Sequence, residues 1–322
     1  MKCLGIESTA HTFGIAVVTD TGEILSNEKD VFTTETGGMI PNEVAEHHRK
    51  VGDIVLKNAL DKAKLTLNEI ELISYSRGPG LSPSLIVGRN FAKKIADENK
   101  IPLIGVDHCV AHLTIGNLTT GAKDPVYMYV SGVNTQVIAL AGGKFRIFGE
   151  TLDVGLGNAL DKFGREAELG FPAGPKIEEI AKQGKYIELP YAVKGMDVSF
   201  GGLITKTKQL LAKGIPVEDI CFSFQETCFA MLAEVCERAM AHCEKNELLL
   251  IGGVAANKRL IEMLEKMCSE REAKFFAVPL QYAGDQAAMI AWQGILENKA
   301  GRKDTIFEIY PYERIDEINV IW

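Results

Sequence analysis

The sequence lacks a long apolar run, a paired cysteine pattern and an excess of basic residues, and each absence excludes a class of protein. No run approaches the roughly 20 apolar residues that span a bilayer, and the N-terminal MKCLGIEST has no signal-peptide pattern. We therefore expect a soluble, cytoplasmic protein with no membrane partner. The seven cysteines are odd in number and unpaired in spacing, which favours a reducing compartment over a disulfide framework.

Most of the cysteines fall in one predicted helix. Cys221, Cys228, Cys236 and Cys243 lie along one stripe of it, with neighbours about 10 Å apart along the axis. This distance is too large for a mutual disulfide or one tetrahedral metal site, so the stripe is expected to pack as small apolar residues.

The formal net charge of −8 excludes a general nucleic-acid coat, because phosphate binding depends on Lys and Arg. A local basic run, RNFAKK at 89–94, is the candidate for nucleic-acid contact. Such a run is more typical of the solvated face of a helix.

The chain of 322 residues is long for a single core, and two domains of roughly 150 residues are expected. KCLGIESTAHTFGIAVVTDTGEILSNEKDV predicts three strands joined by polar turns, and VYMYVSGVNTQVIALAGGKFRIFGET repeats this pattern. Helical and strand segments follow each copy, which predicts two β-β-β-α-β-α halves. This α/β pattern is that of the actin, sugar-kinase and Hsp-type ATPases, whose two tandem RNase H-like domains face each other across a nucleotide-binding cleft.

The predicted boundary between the halves falls after residue 118. Residues 1–118 should form the N-terminal actin-like half, with a crossover from the C-terminal helix. Residues 119–322 should form the C-terminal half, which carries most nucleotide contacts. The polar turns ESTAHT and SGVNTQ would supply donors for phosphate, although neither is a Walker motif. The paired glycines of LLLIGGVAANKRL suit the close approach of a ribose or a flat ring, and equally a plain strand-to-helix turn.

The segment VDHCVAHLTIG places His108 and His112 one helical turn apart, behind Asp107 as a helix cap. They can share a metal ion, and they can also be two ordinary helix residues. The zincin motif HExxH is absent because Cys109 follows His108. Further histidines are His11, His47 and His48; the last two are adjacent and cannot share one helix face, so at least one should be packed or exposed.

Six ordered motifs resemble those of the universal tRNA threonylcarbamoyl transferase family: VDHCVAHLTIG, YVSGVNTQVIAL, GNALDKFGREAELGFPAGPKIEEIA, DVSFGGLIT, IGGVAANKRL and GDQAAMIA. The resemblance runs from GIESTAHTFG to INVIW and is closer to the archaeal and eukaryotic branch, the catalytic subunit of KEOPS. It implies one divalent metal ion per subunit, with iron favoured and zinc possible, and an adenine nucleotide as substrate or ligand. The implied metal ligands are His108, His112, Tyr129 and Asp285. The implied nucleotide contacts are Tyr129, Val130, Ser131, Gly132, Val133, Asp161, Gly174, Glu178 and Asn257.

The resemblance also implies a reaction and its partners. The threonylcarbamoyl group of threonylcarbamoyl-AMP would be transferred to adenosine 37 of tRNA with release of AMP. A metal would act as a Lewis acid, and no covalent nucleophile stands out. The implied partners are tRNA, a kinase-like ATPase subunit and small accessory subunits of a KEOPS-type complex.

The chain departs from the family pattern at a few positions. Val133 replaces a glycine of the second phosphate loop. If the loop keeps the family's shape, Val133 is strained or crowds the phosphate, and this is the outcome we expect. If the loop has shifted to a negative φ, valine fits it without strain. Ala173 stands where glycine is usual, and Gly201 where serine is usual. Gly284 and Gln286 flank Asp285 in place of a polar or basic residue and an asparagine.

Other functions fit the same residues. One is a metal- and adenine-nucleotide-binding ATPase of the same fold, and another is a non-catalytic scaffold subunit of the same complex. A third is a metalloprotease, because the family was once described as O-sialoglycoprotein endopeptidases. That function needs a water-activating Glu beside the histidines, where the sequence offers only Asp107.

Overall fold

A computed structural model of the chain describes residues 1–34 and 40–322. The helices and strands follow one another in this order: β1 (Lys2–Glu7), β2 (Thr12–Thr19), β3 (Ile24–Val31), α1 (Pro41–Ala63), β4 (Leu72–Gly78), α2 (Ser82–Asn99), β5 (Leu103–Asp107), α3 (His108–Thr120), β6 (Val126–Val130), β7 (Thr135–Ala141), β8 (Lys144–Glu150), α4 (Leu156–Glu166), α5 (Gly174–Ala181), β9 (Val193–Lys194), β10 (Asp197–Val198), α6 (Gly201–Ala212), α7 (Val217–His242), β11 (Glu247–Ile251), α8 (Lys258–Glu270), β12 (Lys274–Ala277), α9 (Leu280–Ala283) and α10 (Ala287–Lys299). Short 3₁₀ helices lie at Leu67–Glu69, Gly253–Ala256 and Ile315–Glu317.

The chain folds into two compact units, one of residues 1–118 with 285–322 and one of residues 119–284. The range predicted for the second half, 119–322, includes residues 285–322, and the structure places this segment in the first unit, into which the C-terminal helix is predicted to cross. The physical reason is helix α10, whose small residues Ala287, Ala288 and Ala291 are buried in one core with Cys3 and Ala16 of strands β1 and β2.

Each unit is built on a five-stranded mixed sheet. The strand order is β3-β2-β1-β4-β5 in the first unit and β8-β7-β6-β11-β12 in the second. In both, the first three strands in chain order are antiparallel neighbours and the last two add in parallel. The repeated three-strand pattern predicted from the sequence is therefore confirmed, with the same connectivity in both copies.

The first sheet is covered on both faces. One face packs on α3 and α10 through small and branched residues such as Ala111 and Ile115. The other face packs on α1 and α2 through residues such as Val55, Ala59 and Ala92. This three-layer arrangement explains why β1 is buried along nearly its whole length.

The cysteine stripe lies in helix α7 as predicted. Cys221, Cys228 and Cys236 are fully buried, and Cys243 is half-buried after the helix end. Burial raises the pKa of Cys221 to about 12, so this thiol packs as an apolar group. Among the described residues, no helix is long and apolar enough to cross a bilayer.

Candidate metal centre and nucleotide-binding loops

Helix α3 begins directly where strand β5 ends, and its first residues form the candidate metal centre. Asp107 is the last residue of β5, and its Oδ1 accepts a hydrogen bond from the Val110 amide at 2.7 Å, which caps the helix as predicted. His108 and His112 therefore leave the same face, with ring centroids 4.7 Å apart. Both side chains are buried.

Asp285 joins the two histidines although it is 173 residues after His112 in the chain. Its Oδ1 lies 3.5 Å from His108 Nε2 and 3.4 Å from His112 Nε2. The donor atoms of the three residues lie within 4.8 Å of one another. The structure therefore brings three of the four predicted ligands together, two imidazole nitrogens and one carboxylate oxygen.

The three groups influence the pKa values of one another. Burial opposes a proton on His108, but the Glu7 and Asp285 carboxylates outweigh it and raise the pKa of His108 to about 9. Burial lowers the pKa of His112, although Asp285 opposes this effect. Burial also disfavours charge on Asp285, yet His112 and His108 hold the pKa of this carboxyl well below its usual range. The carboxylates thus favour positive charge at this site, and a divalent cation on the same nitrogen and oxygen donors fits this preference.

Asp285 is held by the start of helix α10. The next residue, Gln286, is fully buried and caps α10 by accepting from the Met289 amide at 3.2 Å. Its Oε1 also accepts from Asn27 Nδ2 at 3.3 Å. The side chain of Gln286, a departure from the family pattern, therefore ties the metal-side end of α10 to strand β3. A Cβ at Gly284 would meet no heavy atom of the described residues within 4 Å, so nothing in this part of the chain requires glycine there.

Tyr129, the fourth predicted ligand, is the buried penultimate residue of β6 in the second unit. Its part in metal binding stays a prediction. The other predicted nucleotide contacts, from Val130 to Asn257, also belong to the second unit.

The loop Ser131–Asn134 joins β6 to β7 in a closed turn. The Ser131 amide donates to the Asn134 carbonyl at 2.8 Å, and the Asn134 amide donates to Ser131 Oγ at 2.9 Å. The start of α4 packs on this loop, where the Gly157 amide donates to the Ser131 carbonyl at 3.0 Å. A Cβ on Gly157 would lie 2.8 Å from that carbonyl oxygen, so glycine is required for this approach.

Val133 is not strained. Among the described residues, the non-glycine residues with positive φ are Lys64, Lys100, Glu168, Glu244 and Glu272. Val133 therefore has negative φ, and its side chain is 72% exposed. The expectation of strain at this position is wrong, and the alternative of a loop with negative φ is confirmed. The expectation that Val133 crowds a phosphate stays a prediction.

Three predicted nucleotide contacts hold the edges of neighbouring loops. Asp161 Oδ1 accepts from the Ala173 amide at 2.8 Å, and Glu178 Oε1 accepts from the Lys258 amide at 2.9 Å. Asn257 caps α8 by accepting from the Leu260 amide at 3.1 Å. Each of these side chains keeps further lone pairs or donors for a ligand. Each also holds a backbone amide of the second unit without any ligand.

Two more departures have a local cause. Ala173 is fully buried, and a Cβ on Gly164 would lie 2.1 Å from the Ala173 Cβ, so a glycine in α4 makes room for the alanine methyl. A Cβ on Gly201 would lie 2.9 Å from Asp153 Oδ2, which accepts from the Gly201 amide at 2.8 Å. Glycine at 201 therefore suits the close approach of this carboxylate to α6.

The sequence did not indicate every residue around the metal centre. Glu7 is fully buried and contacts His108, and His48 is buried against the turn that follows Glu7. The signal that could have found Glu7 is a carboxylate at the end of the apolar strand KCLGIE, because a buried charge needs a partner.

Comparison with known proteins supplies the family. The model of the family described as tRNA N6-adenosine threonylcarbamoyltransferase matches residues 22–292. A relative with this name from Thermococcus sibiricus is 51% identical, with 100% of both chains covered. A relative of the same name from Archaeoglobus fulgidus is 48% identical, with 100% of both chains covered.

A longer relative comes from Methanothermobacter thermautotrophicus. It is named a probable bifunctional tRNA threonylcarbamoyladenosine biosynthesis protein and is 49% identical over 100% of this chain, which spans 61% of the relative.

Solved structures share the fold at low identity. HypF of T. kodakarensis matches with a TM-score of 0.63 and 16% identity, covering 92% of this chain and 47% of that one. Component A of the Acidaminococcus fermentans (R)-2-hydroxyglutaryl-CoA dehydratase matches with a TM-score of 0.55 and 15% identity, covering 94% and 100%. The predicted fold class, an α/β fold of the actin and sugar-kinase type, is confirmed. The match of the family model over most of the sequence shows that this chain belongs to the tRNA N6-adenosine threonylcarbamoyltransferase family.

Proposed function

We propose that the protein transfers the threonylcarbamoyl group from threonylcarbamoyl-AMP to adenosine 37 of tRNA. The observation that carries this proposal is the full-length similarity to relatives named for this transfer, at 51% identity over 100% of both chains. The cluster of His108, His112 and Asp285 supports it, because members of the family are expected to use a metal. The acceptor is an exocyclic amine, and the bond that breaks joins the acyl carbon to the AMP phosphate oxygen.

The proposed metal site consists of His108, His112 and Asp285, with Tyr129 as a fourth ligand. This mixed set of nitrogen and oxygen donors suits iron or zinc, and we favour iron. When bound, such an ion supplies Lewis-acid stabilisation of charge that develops on substrate oxygens, a contribution of several kcal/mol. Asp107 holds the first turn of α3, so that both imidazoles stay on one face.

The proposed nucleotide site lies in the second unit. Backbone groups of Val130 to Val133 would approach the phosphate, and the Asp161 and Glu178 carboxylates would accept from ribose hydroxyls. Gly174 suits the close approach of the sugar, because among the described residues a Cβ built there would meet only Leu160 Cδ1, at 3.7 Å. Asn257 would contact the adenine with the capacity left after it caps α8.

The proposed partners compensate for the charge of the chain. A protein with a net charge of −8 is a poor tRNA ligand alone, so accessory subunits would supply part of the tRNA contact. The longer relative named as bifunctional supports a second activity in the same biosynthesis, and the kinase-like ATPase subunit is our proposal for it. Seven free cysteines, all within the described residues, support a cytoplasmic location.

The function is tested by incubating the full chain and its partner subunits with threonylcarbamoyl-AMP that is labelled in the threonine. The acceptors are a tRNA with adenosine at position 37 and the same tRNA with guanosine there. We expect label only in the adenosine tRNA. Label in neither, with adenylate binding intact, would contradict transfer and favour a scaffold. ATP hydrolysis without transfer would favour an ATPase.

The site is tested by metal content. We expect His112→Ala and Asp285→Ala to lose bound metal while the protein stays folded, because each removes one donor of a three-residue cluster. Elemental analysis of the purified variants measures this. Undiminished metal in both variants would place the metal elsewhere.

A further inference from the structure

Glu7 ends strand β1 as a buried carboxylate with three donors around it. Its Oε1 accepts from the Thr9 amide at 2.7 Å and from the Thr9 hydroxyl. Its Oε2 lies 3.0 Å from His108 Nδ1. Both Glu7 and Thr9 are at most 3% exposed. The proposed reaction assigns no role to this carboxylate, yet it contacts the imidazole of His108 on the side away from Asp285.

This contact decides which nitrogen of His108 is free. An ionised carboxylate only accepts hydrogen bonds, so His108 Nδ1 must carry the hydrogen. The Nε2 lone pair is then the one available to a metal, on the side that faces Asp285 Oδ1. Carboxylates that accept from a metal-bound histidine in this way fix the ring and increase its basicity as a ligand.

A second set of contacts holds the turn between Glu7 and β2. His48 on α1 is 1% exposed, and its Nε2 lies 2.9 Å from the Ala10 carbonyl oxygen. A carbonyl only accepts, so His48 donates through Nε2. Its Nδ1 lies 3.2 Å from His47 Nδ1, and His47 Nε2 lies 2.7 Å from Asp30 Oδ1 on β3. The turn is thus tied to α1 through His48, and α1 is tied to β3 through His47 and Asp30.

We propose that Glu7 is a positioning residue for the metal ligand His108, and that the series Asp30, His47 and His48 holds the turn that locks Glu7 in place. The inference rests on the proposed metal site. Glu7 acts on the metal only through His108, and His48 acts only through the turn. Two sets of contacts therefore determine how firmly the His108 ring is held: those of Glu7 with His108, and those that hold the turn after Glu7.

The main test is the metal affinity of Glu7→Gln, measured with Zn²⁺ against a chromophoric chelator. A glutamine offers one acceptor oxygen and places an amide donor against the Thr9 or His108 donors, so the ring loses its support. We expect affinity to fall by about 10 to 100-fold. The matched control is Glu297→Gln, because Glu297 is a carboxylate of the same unit that is 2% exposed and bonds Gln293 and Arg302 instead. Its zinc affinity should match the parent.

The second set of contacts has a conservative rescue. His48→Gln can still donate to the Ala10 carbonyl, whereas His48→Ala cannot. We expect the alanine variant to bind Zn²⁺ several-fold more weakly and the glutamine variant to recover most of the loss. Thr9→Val changes the shape little and removes the hydroxyl that donates to Glu7 and lies 3.3 Å from His108 Nδ1. It should weaken zinc binding in the same direction, so the inference stays testable if Glu7→Gln does not fold.

Histidine nitrogen NMR of the zinc-loaded protein separates positioning from general stability. The parent should show His108 with its hydrogen on Nδ1 in a slowly exchanging hydrogen bond, and Glu7→Gln should lose this signal. Parent-like zinc affinity in folded Glu7→Gln would overturn the inference and leave the metal site intact. A parent protein that binds no zinc and no iron would overturn both the inference and the proposed metal site.

Discussion

Gly5 offers the sharpest test of how helix α10 carries Asp285 to the two histidines. It lies at the centre of the first sheet, paired with Ala16 on β2 and Ser74 on β4. A Cβ built on Gly5 would lie 2.4 Å from the Ala287 carbonyl oxygen and 2.4 Å from the Ala291 amide nitrogen. These are backbone atoms of α10, and they cannot rotate away as a side chain could.

Gly5→Ala must therefore push α10 off the sheet by about 1 Å, because contacts of this kind are normally near 3.5 Å. Overpacking of a core costs about 1 to 3 kcal/mol of unfolding free energy, and a rigid backbone neighbour favours the upper end. The shift also affects the candidate metal site. Asp285 stands two residues before α10, so its carboxylate moves away from His108 and His112 when the helix moves.

The control variant is Gly14→Ala on the neighbouring strand β2. Its Cβ would lie 3.4 Å from the Ala287 Cβ, an ordinary contact with the same helix. We expect its stability to stay within about 0.5 kcal/mol of the parent.

Both tryptophans, Trp292 and Trp322, belong to the first unit, so urea unfolding followed by tryptophan fluorescence reports on this unit. We expect Gly5→Ala to lose stability and bound metal together, with Gly14→Ala unchanged in both. A Gly5→Ala protein with the midpoint and metal content of the parent would refute the reasoning.

Three further outcomes follow from the structure. Gly174→Ala should leave thermal stability unchanged and weaken adenine-nucleotide binding in calorimetry by roughly tenfold, about 1.4 kcal/mol, if the ribose approaches there. Arg77 and Glu313 form a two-bond ion pair at 2.9 and 2.8 Å, with 15% and 12% of their side chains exposed. Arg77→Met should lower the free energy of unfolding in urea by about 3 to 5 kcal/mol, because it leaves the Glu313 charge without its partner. Adding Glu313→Leu should recover most of this loss. Burial lowers the pKa of His48 to about 4 from 6.5, so between these pH values the unfolded chain binds more protons than the folded one. The free energy of unfolding of the parent should therefore fall by about 3 kcal/mol as the pH drops through this window, and His48→Gln should not show this fall.

The sequence predicted most of the fold because its two halves repeat a local signal. Polar turns with glycine separate short apolar runs in both copies, and these runs became β1 to β3 and β6 to β8. The C-terminal helix was expected to cross into the first half, but the extent of that segment, residues 285–322, was not predicted, since it depends on which sheet accepts the small residues of α10. That choice is made by tertiary contacts such as Gly5 against Ala287, which no local pattern encodes.

The candidate site divides in the same way. His108 and His112 could be paired from their spacing, because one helical turn places both on one face. Asp285 was assigned only through family resemblance. Glu7 and the His47–His48 pair could not be assigned, since their roles come from the packing of β1 and α1 around one turn. The strain predicted at Val133 is absent, because this residue has an exposed side chain and an ordinary backbone conformation.

We propose transfer of an acyl group to tRNA by a protein that holds a metal with the histidines of α3 and Asp285. The most direct measurement is a single-turnover reaction of labelled threonylcarbamoyl-AMP with tRNA, run side by side for the parent and Asp285→Ala in the complete complex. We expect modified adenosine with the parent, and loss of both the product and the bound metal with Asp285→Ala. Equal product from both proteins, or none from a parent that holds metal and adenylate, would contradict it.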